Sequence, residues 1–144
     1  MLSLAPQGQT NVQIAVYGVQ IEYEERNPPM EVESRTPATN TSIKNELDFI
    51  TAAIKANTAP ESIYLFGSYA NGAPNTDSDI DIYVVVPDSE TDTIELCAKI
   101  RLDLAKRKTL PIDLLIGKKS IFENRKNRLT LESVVANEGI KIYG

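Results

Sequence analysis

Asp79 and Asp81 stand two residues apart at the start of an apolar run, Ile80 to Val86. In an extended strand, positions i and i+2 share a face. A rise of about 3.3 Å per residue puts their Cβ atoms roughly 6.5–7 Å apart. Carboxylates at that separation can bracket two metal ions about 3.5–4 Å apart, the arrangement that clamps a phosphoryl group during in-line displacement. Ile80 and Ile82 point the other way, so the strand that carries the acids is also anchored in a core. Without a cation, acids crowded in this way repel each other and one pKa rises. Taken alone, the pair is also what a solvated strand start looks like. The spelling D-x-D-x-D from Asp77 does not continue as a calcium loop: the sixth and twelfth positions hold Ile82 and Asp88 instead of Gly and Glu.

Two further features matter. Gly67-Ser68 directly follows a short apolar run, Ile63 to Phe66. Glycine permits a tight turn and a close approach to phosphate; Ser68 adds a hydroxyl, and backbone N–H groups after a strand can cradle anionic oxygens. There is no G-K-[ST], so this is not a Walker A loop. A Gly-Ser after a strand is by itself more often a plain turn. Asp113 is a lone acid in Pro111 to Ile116. Burying it there is costly unless it meets a cation or a donor, and the competing reading is a strand-start acid facing water. If this strand lies beside Ile80–Val86, Asp113 completes a three-carboxylate cluster.

Composition narrows the chemistry. The chain has no histidine and one cysteine, Cys97, which excludes His-ligated zinc, Ser-His-Asp triads and an intramolecular disulfide. Oxygen donors remain, and these suit hard cations such as Mg²⁺. A formal net charge of −5 argues against a long nucleic acid as partner. The basic cluster Lys106-Arg107-Lys108 reads as the charged last turn of a helix. No signal peptide or membrane-spanning run is evident, so no membrane is expected and the location is read as cytoplasmic.

The elements that must hold these residues begin after a break near residue 40. Residues 1–41 read as an N-terminal extension and linker: Val12, Ile14 and Val16, then Val19, Ile21 and Tyr23, alternate as two short strands or a loose hairpin, and the stretch from Asn27 to Ser42 is rich in Pro, Thr, Asn and Ser. Two other readings stay open: an extension that pairs with a sheet edge or a partner, and an upstream start with Met30 as the alternative initiation site. Residues 42–144 form the main domain. Ser42 is expected to cap a helix carrying Ile43, Leu47, Ile50 and Ile54. Strands follow at Ile63–Phe66 and Ile80–Val86. Asp92 and Glu95 resemble a capping box before a helix face of Ile94, Cys97, Ile100 and Leu104, on which Cys97 packs and is not a nucleophile. A strand at Pro111–Ile116 precedes a last helix over Thr130–Glu138, closed by Gly139 as a C′ residue, and a short strand with Ile140 and Ile142. The expected fold class is α/β (α+β), a small mixed sheet flanked by helices.

Together these residues resemble the nucleotidyltransferase superfamily that includes DNA polymerase beta, whose motif is Gly-Ser, about ten residues, Asp-x-Asp, and a third acid on a later strand. Ten residues, Tyr69 to Ser78, separate Ser68 from Asp79. The ending Asn137-Glu138-Gly139-Ile140-Lys141-Ile142-Tyr143 is similar to the close of the small prokaryotic members. The resemblance implies a polymerase beta palm-like fold in which Gly67 and Ser68 contact the phosphates of an NTP. Asp79 and Asp81 would bind the metals holding the triphosphate, and Asp113 the metal beside the attacking hydroxyl. The implied cofactors are two Mg²⁺ ions, with ATP as substrate.

With little chain beyond this core, the sequence resembles the minimal nucleotidyltransferases, many of which are antitoxins paired with a small helical HEPN-type toxin. The implied reaction is transfer of AMP to a tyrosine of that partner. The alternatives are a small-molecule nucleotidyltransferase of the aminoglycoside type, or a binding module that neutralises a partner by contact. Many small members carry Arg where this chain has Tyr69 and Asn71, so a phosphate grip is expected to be weaker or to come from Lys118, Lys119 or Arg125.

Overall fold

The structure, a computed structural model, describes residues 11–16, 19–24, 37–107 and 110–144, with side chains from Ser42 onward. In chain order the elements are β1 (Asn11–Val16), β2 (Val19–Glu24), α1 (Pro37–Asn57), β3 (Ser62–Phe66), β4 (Ile80–Val86), α2 (Thr93–Leu104), β5 (Ile112–Lys118), α3 (Lys119–Arg125), α4 (Leu131–Glu138) and β6 (Ile140–Tyr143). β1 and β2 pair antiparallel, with Val12 opposite Tyr23 and Ile14 opposite Ile21. The other four strands form one sheet in the order β5-β4-β3-β6. β4 runs parallel to β5 and antiparallel to β3, and β6 returns antiparallel on the far side of β3. The expected small mixed sheet flanked by helices is the fold observed.

β4 is central and covered on both faces, which is why its sequence is nearly all apolar instead of alternating. Ile80, Ile82, Val84 and Val86 point to one face and are fully buried with Ile43, Leu47, Ile50 and Ile54 of α1 and Leu96, Ile100 and Leu104 of α2. Tyr83 and Val85 point to the other face and pack with Phe66, Phe122 of α3 and Val135 of α4. Asp81 is the one residue of β4 outside the buried class. Among the described residues, no helix is long and apolar enough to cross a membrane.

Several expectations change. α1 begins at Pro37, so Ser42 lies inside the helix and does not cap it. A proline at the first helical position has its ring pre-set for the helix and loses no hydrogen bond. Of the expected N-terminal extension and linker, residues 1–10, 17–18 and 25–36, Met30 among them, lie outside the described residues. Asp92 does cap α2, its carboxylate accepting from the N–H groups of Ile94 and Glu95. Ile94, however, is 83% exposed, and Leu96 takes its place in the core. Cys97 packs at the margin of the core, as expected. α3 was not foreseen. Gly139 is extended, with φ −74°, and is not a left-handed C′ residue. Its small size is needed because a side chain there would strike the Val135 carbonyl and lie 3.2 Å from that of Leu65. Lys106 and Arg107 follow α2; they pair with Asp103 and Glu46 at 2.6 and 3.1 Å, structural roles both.

Candidate active site

The end of β3 and the start of β4 meet where the candidate residues lie. Phe66 pairs with Asp81 across the two strands, and the chain then turns at Gly67 with φ +72°. A side chain at this position would face two penalties. Positive φ disfavours any L-residue, and a β-carbon would run into Oδ2 of Asp81. The glycine thus makes room for the carboxylate as well as for the turn. Beyond it, the N–H groups of Ala70 and Asn71 donate to the Gly67 carbonyl at 3.1 and 3.0 Å, and that of Ala73 donates to the Ser68 carbonyl at 3.1 Å. As at a helix start, the opening N–H groups of such a turn find no acceptor within it, which suits the corner to anionic oxygens. Tyr69 is 5% exposed and sits in the main core. The position where many small nucleotidyltransferases carry Arg is here a packing anchor. Asn71 is exposed.

The loop that delivers Asp79 is locked by its own side chains. Asn75 Oδ1 accepts from the Asp77 N–H at 2.8 Å, and the Asn75 N–H donates to Ser78 Oγ at 2.8 Å. An Asx turn of this kind fixes the chain without outside help. The Ile80 N–H then donates to the Pro111 carbonyl at 2.8 Å, stitching the entry of β4 to that of β5. The parallel register follows, with Asp81 opposite Asp113. The two strands are adjacent, so Asp81 and Asp113 share a register position, with the Asp113 side chain about half exposed. Burial, then the charge of Asp113, then that of Asp79 raise the pKa of Asp81.

An ion bound there would relieve that repulsion. The donors are all carboxylate oxygens, the chemistry of Mg²⁺ sites. Among the described residues, no three acidic, His or Cys side chains are gathered closely enough to cage an ion alone. Mg²⁺ does not require such a cage, because it usually keeps several waters and shares one or two carboxylates with substrate phosphates. The residues present fit the ion.

The positive charges expected to grip phosphate lie elsewhere. Lys118 pairs in register with Val86, at the opposite end of β4 from Asp81, roughly 16 Å along the strand. Lys119 is engaged by Glu61 at 3.2 Å and Arg125 by Glu132 at 3.2 Å. A groove of about 610 Å³ lined by Ser120, Ile121, Asn124, Arg125, Arg128 and Thr130 holds Arg125 but none of Gly67, Ser68, Asp79, Asp81 and Asp113. Sequence reasoning missed Arg101 of α2, whose Nη2 lies 4.0 Å from Oδ1 of Asp113. The only available signal was its place next to the buried Ile100, and that does not say which strand it faces. The Asn75–Ser78 turn was also missed, although Asn-x-Asp-Ser is a turn signature.

Residues 48–144 match the family described as Polymerase beta, Nucleotidyltransferase. A candidate nucleotidyltransferase from Sulfolobus solfataricus has a similar structure, with a TM-score of 0.50 and 17% identity over 75% of this chain and 88% of that one. A mutant of the toxin–antitoxin MntA-HpeT gives a TM-score of 0.48 and 22% identity over 67% of this chain and 72% of that one. At 17% identity the likeness to the Sulfolobus solfataricus protein is one of fold. No curated protein sequence matches.

Proposed function

Because the chain belongs to the polymerase beta nucleotidyltransferase family, we propose that it transfers AMP from ATP to a hydroxyl of a partner protein, a tyrosine of a small helical HEPN-type toxin, and so acts as an antitoxin. The observation that carries the transferase chemistry is the β4–β5 register, which sets Asp81 opposite Asp113 while Gly67 leaves room for the Asp81 carboxylate. The partner rests on the resemblance to the minimal nucleotidyltransferases.

In this reading Asp79, Asp81 and Asp113 would hold two Mg²⁺ ions. When bound, these supply charge neutralisation for the triphosphate and lower the pKa of the acceptor hydroxyl. The backbone N–H groups of the Gly67–Ala73 turn and the Ser68 hydroxyl donate to phosphate oxygens and align the chain of phosphates for in-line attack. The acceptor oxygen forms a bond to the α-phosphorus, and the bond from that phosphorus to the bridging α–β oxygen breaks. Pyrophosphate leaves with the electron pair, and Asp113 accepts the hydroxyl proton. Burial of Tyr69 favours one second reading, neutralisation by contact alone, because the guanidinium common at that position is absent.

The test is incorporation of label from α-labelled ATP with Mg²⁺ in a lysate of the source cells. Wild type should label one small protein and Asp79→Asn should label none. Absence of label with all four NTPs, with partner binding retained, would overturn the transferase reading in favour of contact.

A further inference from the structure

Arg101 extends from α2 at a position set by its neighbour Ile100, which is fully buried against the sheet. The guanidinium therefore stands over the entry of β5, where Nη2 lies 4.0 Å from Oδ1 of Asp113 with both side chains about half exposed. We infer that Arg101 is the counter-ion of Asp113: it holds the third carboxylate in the absence of a divalent cation and competes with the cation for it. This rests on the proposed metal-binding role of Asp113.

Three observations converge. The register sets Asp113 opposite Asp81, two like charges on neighbouring strands, so a cation near Asp113 is favoured whatever its source. Among the described residues, Arg107, Lys119 and Arg125 are engaged by Glu46, Glu61 and Glu132 and Arg128 lines a groove apart from the site, whereas Arg101 is paired with Asp113. The pair is long and solvated, and such pairs contribute little stability. It can therefore be exchanged for a metal without loss of fold. Arg101 is a positioning residue in this scheme, and it raises the cation concentration at which Asp113 is captured.

The experiment uses the full chain without nucleotide and Mn²⁺ as the probe, with free Mn²⁺ counted by electron paramagnetic resonance. Arg101→Met should bind Mn²⁺ about two- to fivefold more tightly, the range a solvent-screened pair allows. Arg101→Lys should restore the wild-type affinity and Asp113→Asn should weaken it. Lys99→Met, on the same helix but paired with Glu95, controls for loss of a positive charge in general and should change nothing; circular dichroism verifies the fold of each variant. Wild-type affinity in Arg101→Met, or equal tightening in Lys99→Met, would overturn the counter-ion role and leave the metal site standing. A wild type that binds no Mn²⁺, or an Asp113→Asn variant that binds normally, would remove the metal role of Asp113 and the inference together.

Discussion

Replacing Gly67 by alanine separates the two reasons for glycine at that turn. The backbone reason is φ +72°, where an L-residue costs roughly 1–2 kcal/mol. The contact reason is the Asp81 carboxylate, which occupies the place a β-carbon would take. Because the obstacle is a side-chain end and not backbone, Asp81 can rotate away, and the added coupling should be about 0.5–3 kcal/mol. Gly67→Ala should therefore lower stability by about 1.5–5 kcal/mol in urea unfolding. In an Asp81→Ala background the same substitution should cost only the backbone share, about 1–2 kcal/mol. The displaced carboxylate should also depress transfer by roughly a hundredfold, the usual effect of misplacing a catalytic group by an ångström. Equal costs in the two backgrounds would refute the idea that Asp81 and Gly67 share one volume.

Asp81→Asn should abolish transfer yet raise the stability of the cation-free protein at neutral pH. The folded pKa of Asp81 is raised by burial, Asp113 and Asp79, so its ionised form opposes folding; an unchanged or lower urea midpoint would contradict this. Tyr83 gives the alkaline counterpart. Burial first, then the charge and hydrogen bond of Glu132, push its pKa up to about 12, above the ordinary value near 10. The folded state therefore keeps a proton that the unfolded chain releases, and this stabilisation is complete below about pH 10 and is lost as pH rises toward 12. Tyr83→Phe should flatten the fall in stability over that window, and absorbance at 295 nm should show one tyrosine titrating late.

The parts of the fold legible in the sequence were those with a full period or a hard stop. β4 could be read from Ile80 to Val86 because burial on both faces demands an unbroken apolar run and Pro87 ends it. Asp92 was readable as a cap because capping is local. The start of α1 was lost among Thr39, Asn40, Thr41 and Ser42, which favour turns; Pro37 was the cue. α3, at seven residues, is too short to display a helical period. On α2, Ile100 and Leu104 are buried as expected, but Ile94 was wrongly put on that face because the exposed first turn happened to carry an apolar residue. The motif Gly67-Ser68 to Asp79-x-Asp81 was visible as spacing. That Asp113 lies opposite Asp81, that Tyr69 is core and that Arg101 reaches Asp113 all depend on pairings between distant segments, which no local pattern encodes.

The sheet order has a consequence for the order of events during synthesis. β3 is made early and is flanked on one side by β6, with Ile63 opposite Tyr143. Until β6 arrives, that edge of β3 offers unpaired backbone groups beside Ile63 and Leu65, a template for pairing with another chain. The strand that ends at Phe66 is thus held in register by a segment that emerges only after β4, α2, β5, α3 and α4, and a nascent or shortened chain lacking Ile140–Tyr143 would be a candidate for aggregation before it was a candidate for catalysis.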